Sequence, residues 1–185
     1  MKTILFSAFI LSFFLLSCSN TEQINAIKNI DSLLSVVDGI KTDMAFLEND
    51  SSKAFYSNMK EEVDFIGKTI TDLPKDSAQR TSLSLYANYS KGFKKIYKNL
   101  SVYEGEIANS EKQLQDLKSD IKNDLLKKDD IEKYIMDEKT AVVLLEMNVK
   151  EDIDKYHIIK NEVLAIQPVI SKLSESLRKT NNTNK

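Results

Sequence analysis

The stretch of residues 86–124, YANYSKGFKKIYKNLSVYEGEIANSEKQLQDLKSDIKND, decides the fold because its apolar residues recur at alternating steps of three and four. Twelve positions at this spacing form a seam, the stripe of the helix that packs against a partner helix. Ten of the twelve seam positions are apolar, and the two exceptions are Ser110 and Asp124. A 3.5-residue spacing held over this length indicates left-handed coiled-coil packing. The seam positions are Tyr86, Tyr89, Phe93, Ile96, Leu100, Tyr103, Ile107, Ser110, Leu114, Leu117, Ile121 and Asp124.

A second seam follows and predicts the partner of the first. Its only polar positions are Glu138 and Asp152, and its members are Ile131, Ile135, Glu138, Val142, Leu145, Val149, Asp152, Tyr156, Ile159, Val163, Ile166, Ile170, Leu173 and Leu177. The polar string Lys127-Lys128-Asp129-Asp130 separates the seams, and Asp129 with Glu132 has the form of a capping box. The two seams therefore predict a long antiparallel helical hairpin.

The first third of the chain predicts two shorter helices. Apolar residues at helical spacing indicate helices at about residues 22–48 and 52–73, separated by turn residues around Asn49. Pro74 disfavours helical geometry before it, and Asp76 or Ser77 is suited to cap the next helix. At 1.5 Å per residue these helices are about 35–40 Å long, against about 75 Å for each hairpin arm.

These elements predict an all-α fold, an antiparallel four-helix up-down bundle whose last two helices extend as a coiled-coil hairpin. We expect one helical domain over residues 24–179, with helices at about 22–48, 52–73, 77–127 and 130–178, and a disordered tail at 180–185. The first two helices are expected to cover the half of the hairpin away from its turn. The other half would then be a two-helix stalk pointing away from the N-terminal end.

The composition agrees with helices and argues against nucleic acid as a partner. The chain has 4 glycines and 2 prolines in 185 residues, and its formal net charge is −2. Lysines and acidic residues are interspersed along the chain and not segregated, so the sequence shows no basic patch of the kind that binds nucleic acid.

The N-terminus carries a short leader ahead of the single cysteine. Lys2 is followed by an apolar run over residues 4–16. The last two residues of this run begin the string Leu15-Leu16-Ser17-Cys18. This leader resembles that of bacterial lipoproteins, whose lipobox it matches. The resemblance implies that residues 1–17 are a cleaved signal peptide and that Cys18 is acylated, with residues 18–23 as a lipidated tether.

Two alternatives to lipidation follow from the same residues. Ordinary signal-peptidase cleavage would leave a free thiol, although the site is a poor one, and an uncleaved anchor would need a longer apolar run. Lipidation implies a bacterial cell-envelope location, with the membrane as a partner through the acyl chains on Cys18. Ser19, by resemblance to enteric lipoproteins, favours the outer membrane over the inner membrane.

A break in the second seam marks the candidate interaction site. Val143, Leu144 and Met147 fall outside the seam, on the face of the helix turned away from its partner. Clustered apolar residues on an exposed face mark contact sites, here for a second copy or for an envelope protein. The alternative is that the first two helices reach further and cover them.

No catalytic or metal constellation is visible in the sequence. The polar seam positions are expected to fix register, with Glu138 level with Lys118 and Lys122. His157 is the only histidine, and we expect it at the surface or at the boundary of the core. We therefore expect no metal, no cofactor and no enzymatic activity, and favour an interaction or structural role. The alternative function is binding of an apolar ligand, a lipid or a cofactor, in a pocket walled by the aromatic residues near Pro168.

Overall fold

The computed structural model describes the backbone of residues 3–183 and the side chains of residues 21–181. Within these residues the chain forms four α-helices: α1 (Thr3–Glu48), α2 (Asp50–Thr69), α3 (Ser77–Lys122) and α4 (Lys128–Thr183). The helices pack against one another, so the predicted all-α bundle is confirmed. Among residues 21–181, whose side chains are described, no helix has an apolar stretch long enough to cross a membrane.

The helix ends have identifiable physical causes. The Asn49 side chain accepts the amide of Ser52 at 2.8 Å and caps α2, and the Asp76 carboxylate accepts the amide of Ala78 at 2.8 Å and caps α3. α2 ends four residues before the predicted position because Ile70 is extended, with φ −74° and ψ 117°.

The turn between α3 and α4 is longer than predicted, since residues 123–127 lie outside both helices. Asp124 has a φ of 54°, and the amides of Asp124 and Leu125 donate to the carbonyls of Ile121 and Asp120. This Schellman arrangement ends α3 five residues early. α4 then begins at Lys128, so Asp129 is not the cap but lies in the first helical turn, where its charge suits the helix dipole.

At its other end α4 continues through Pro168 to Thr183. It therefore includes residues 180–183, which we expected to be disordered. The hydroxyl of Thr180 donates to the carbonyl of Ser176 at 3.1 Å, and this bond ties the last turn to the turn before it.

The chain divides into two compact units, each built from distant stretches of sequence. Unit 1 comprises residues 1–41 and 105–147, and unit 2 comprises residues 42–104 and 148–185. In each unit most buried apolar side chains of α3 and α4 come from the two predicted seams. The antiparallel hairpin of α3 and α4 is thus present in both units.

In unit 1, α1 lies on the half of the hairpin that includes the turn. Lys128 pairs with Glu22 at 2.5 Å, Lys118 pairs with Asp31, and Lys41 pairs with Glu111 at 2.7 Å. The order of these pairs shows that α1 runs antiparallel to α3. The prediction that the first helix covers the other half, leaving a two-helix stalk, is wrong.

In unit 2, α2 covers the half of the hairpin away from the turn, as predicted. The ring of Phe46 near the end of α1 stacks on His157 with a centroid distance of 4.9 Å. Further along, the Lys160 ammonium lies over the ring of Phe55, and the Arg178 guanidinium lies over the ring of Phe65. α2 therefore continues in the direction of the last turns of α1 and does not fold back on them.

This arrangement explains which apolar residues stay outside the core of unit 2. Leu85, Val102, Ile158 and Leu164 are exposed. A buried stripe wide enough to include these side chains would require a fourth helix beside them. Because α2 follows the last turns of α1 along this half of the hairpin, α3 and α4 each present a narrower buried face in unit 2.

Candidate functional site

The apolar strip predicted at Val143, Leu144 and Met147 lies on the surface of unit 1. These side chains are 40%, 54% and 61% exposed, respectively. On the same helix Val142, Leu145 and Val149 are buried. At 100° per residue the buried trio faces nearly opposite to Val143 and Met147, so α4 is apolar on two sides.

The alternative was that the first two helices cover this strip. In unit 1 the strip is exposed, so this alternative is wrong there. α1 does reach this half of the hairpin, but it packs against the seam side of α4. Met136, which is 56% exposed, lies close to the line of Val143 and Met147 and lengthens the strip towards the turn. We missed Met136 in the sequence, although its spacing of seven residues from Val143 was a usable signal.

The candidate lipidation residue, Cys18, lies outside the described side chains, as do residues 1–17. Residues 21–23 of the predicted tether are described and belong to α1. There the Gln23 amide donates to the Asp124 carboxylate and, at 3.4 Å, to the carbonyl of Ile121.

The polar seam position Asp152 in unit 2 is buried and hydrogen-bonded. Its carboxylate accepts the Asn99 amide at 2.8 Å and the Tyr103 hydroxyl at 2.9 Å, both from α3. The Lys155 ammonium lies 3.8 Å away on the same helix. Since Asp152 finds its donors at one level of α3, this network supports the predicted role in fixing register.

Glu138 in unit 1 differs from Asp152. Its Oε2 is buried and has no hydrogen-bond partner among the described residues. Burial, with a smaller contribution from the charge of Asp137, raises the pKa of the carboxyl. The expected pairing with Lys118 is wrong, because α1 lies nearby and Lys118 bonds to Asp31 instead.

The other two polar seam positions, Ser110 and Asp124, differ from each other in their surroundings. Ser110 is buried within the seam of α3. Asp124, which was predicted to continue the seam, is the left-handed residue that ends α3.

The aromatic residues near Pro168 are mostly packed core rather than the wall of a pocket. Phe93 is buried against the rings of Phe55, Tyr56 and Tyr156. His157 is exposed, beside Tyr156.

Unit 2 has a cleft of about 220 Å³ that Phe55 and Tyr86 line together with polar side chains. Within it the Tyr86 hydroxyl donates to the Glu62 carboxylate at 2.8 Å, and the Gln167 amide donates to the same oxygen at 3.0 Å. Burial, followed by the bond to Glu62, raises the pKa of Tyr86. This cleft is smaller than typical ligand sites, and Asn58, Glu62 and Gln167 interrupt its apolar lining.

A larger cleft, of about 470 Å³, lies in unit 1 beside the α3–α4 turn. Its lining is mixed: Ala26, Leu126, Ile131 and Ile135 are apolar, and charged groups including Glu22, Lys128 and Glu132 accompany them. In the part of the chain whose side chains are described, no three His, Cys, Asp or Glu residues gather as a possible metal site.

Comparison with known proteins finds no matching family model, no similar curated sequence and no matching solved structure.

The Asp152 network generates a prediction about the stability of unit 2. Tyr103→Phe removes one donor to a buried carboxylate, so we expect the free energy of unfolding to fall by about 1–3 kcal/mol. The loss should be smaller in an Asp152→Ala background, which urea denaturation of the four proteins measures as a double-mutant cycle. Tyr134→Phe, at an exposed tyrosine, is the control and should change stability by less than about 0.5 kcal/mol.

Glu138 generates a prediction about pH dependence. Its folded pKa lies above its unfolded pKa, so the wild type loses stability as the pH rises through the interval between them. Glu138→Gln should remove that loss and raise the free energy of unfolding at pH 7 by up to about 0.5 kcal/mol. The gain is small because solvent screens this half-exposed group. Urea denaturation at about pH 4 and pH 7 measures the difference; an equal effect at both pH values would contradict it. Glu175→Gln, at an exposed position, is the control.

Proposed function

We propose that this protein is a membrane-anchored cell-envelope lipoprotein whose helical bundle is a non-enzymatic protein-interaction module. The observation that carries the proposal is the exposed apolar strip of Val143, Leu144 and Met147 on α4 of unit 1. Leucine and methionine at high exposure, grouped on one helix face, are typical of a contact surface.

The position of the strip favours a helical partner. Together with Met136 it extends over twelve residues of α4, or about 16 Å along the axis. Apolar side chains at spacings of three, four and seven residues pack against the same pattern on another helix. The partner in this proposal is a second copy of the chain or another envelope protein with an amphipathic helix.

The anchor in this proposal is Cys18 in the string Leu15-Leu16-Ser17-Cys18, after a leader of signal-peptide length. Two or more acyl chains hold a protein on a bilayer, because each buried methylene contributes about 0.8 kcal/mol. We place the protein in the bacterial envelope and favour the outer membrane on the basis of Ser19.

Lipidation predicts a defined change in mass. The mature protein should lack residues 1–17 and carry the mass of a diacylglyceryl group and a further acyl chain at Cys18, as intact mass spectrometry measures. Cys18→Ser should carry neither acyl group and should retain the leader. A mature wild-type chain with a free Cys18 thiol would contradict the proposal.

The strip predicts a contact that depends on three side chains. Changing Val143, Leu144 and Met147 together to serine should leave the free energy of unfolding within about 1 kcal/mol, because these side chains already meet water. Cross-linking in intact cells should give an adduct with the wild type and none with the variant. An adduct of twice the protein's mass identifies a second copy, and any other mass identifies an envelope partner.

A matched control uses exposed apolar residues of unit 2. Ile158→Ser with Leu164→Ser alters side chains that are 63% and 51% exposed, and it should keep the adduct. An adduct that persists in the strip variant would show that the contact lies elsewhere. Unfolding of the strip variant would show that the strip belongs to the core.

A further inference from the structure

The α3–α4 turn of unit 1 exposes an apolar side chain at its tip. Leu125 is 68% exposed, and it follows the left-handed residue Asp124 that ends α3. Ile24 in the first described turns of α1 is 45% exposed. Its neighbour Gln23 is hydrogen-bonded to Asp124 and Ile121, so both apolar residues lie at the same end of unit 1.

The same end of unit 1 contains the residues that follow Cys18 in the sequence. The Lys128 ammonium lies 2.5 Å from the Glu22 carboxylate, which fixes the start of the described part of α1 beside the turn. Cys18 precedes Glu22 by four positions, and even a fully extended chain over four steps spans only about 14 Å. An acylated Cys18 therefore brings the turn close to the bilayer surface.

From this juxtaposition we infer that the α3–α4 turn of unit 1 contacts the bilayer that holds the Cys18 acyl chains, with Leu125 and Ile24 in the lipid interface. The inference rests on the proposed lipidation of Cys18. It reverses the orientation expected from the sequence, in which the turn points away from the lipid.

The charges around the turn suit an interface contact of this kind. Residues 122–130 carry three lysines and three aspartates, so attraction to anionic lipid is not the driving force. Lys127 is exposed, and its long apolar stem allows its charge to stay among the headgroups while a neighbouring leucine enters the interface. A second contact beside the acyl chains limits the tilt of unit 1 on the membrane.

The test compares two positions of unit 1 in the same membrane-bound protein. Leu125→Cys and Glu106→Cys each give a single reactive thiol, because the Cys18 sulfur is blocked by its acyl group. Glu106 is exposed on α3 and lies sixteen residues from Lys122, or about 24 Å along the helix. Each full-length, acylated variant is labelled with a fluorophore and reconstituted into vesicles of phosphatidylethanolamine and phosphatidylglycerol.

The expected result is a blue-shifted emission at position 125 and a several-fold slower quenching by aqueous iodide than at position 106. Equal quenching at the two positions, in a protein shown by its mass to be acylated, would overturn the turn contact and leave the lipoprotein proposal intact. A mass without acyl groups would overturn both, so the two failures are distinguishable.

Discussion

The contact between α3 and α4 along their apolar seams is the interaction on which both units depend. It supplies most of the large, fully buried side chains of those two helices, among them Phe93, Tyr156 and Ile170 in unit 2 and Leu114 and Ile121 in unit 1. Without a disulfide, which a single cysteine cannot form within one chain, this apolar burial has to offset the entropy of ordering helices of 46 and 56 residues. α1 and α2 then complete the cover of each unit.

The helical hairpin could be predicted because its signal is local and repeated. Each seam position reports on the same face, so one polar exception such as Ser110 does not obscure the pattern. The path of α1 and α2 had no such signal. The residues around Asn49 were interpreted as a reversal, yet only one residue separates Glu48 from Asp50, and antiparallel helices need a connection of about two to eight residues. The capping role of Asn49 was visible in the sequence, but a cap does not reveal whether the chain turns back.

The polar seam residues show a second limit of sequence analysis. Asp152 and Glu138 interrupt the same seam in the same manner. Asp152 accepts hydrogen bonds from the Asn99 amide and the Tyr103 hydroxyl, whereas one oxygen of Glu138 has no donor among the residues whose side chains are described. The difference depends on which side chains of α3 lie opposite each of the two residues. It also depends on α1, because Asp31 of α1 pairs with Lys118, the predicted partner of Glu138. Ion pairs between residues 70 to 87 positions apart have no signature in the spacing of charges. The exposure of the α4 strip, in contrast, followed from its position opposite the seam.

The discontinuity of the two units has a consequence for biosynthesis. The first segment of unit 1 ends at Lys41, and its next segment begins at Gly105, about 60 residues later. At about 5–20 residues per second, the ribosome needs several seconds to make the intervening chain. During that interval Ile30, Leu33 and Val37, which end up buried in unit 1, have no partner surface from α3 or α4. These side chains can therefore reach their native buried environment only after the hairpin has been synthesised.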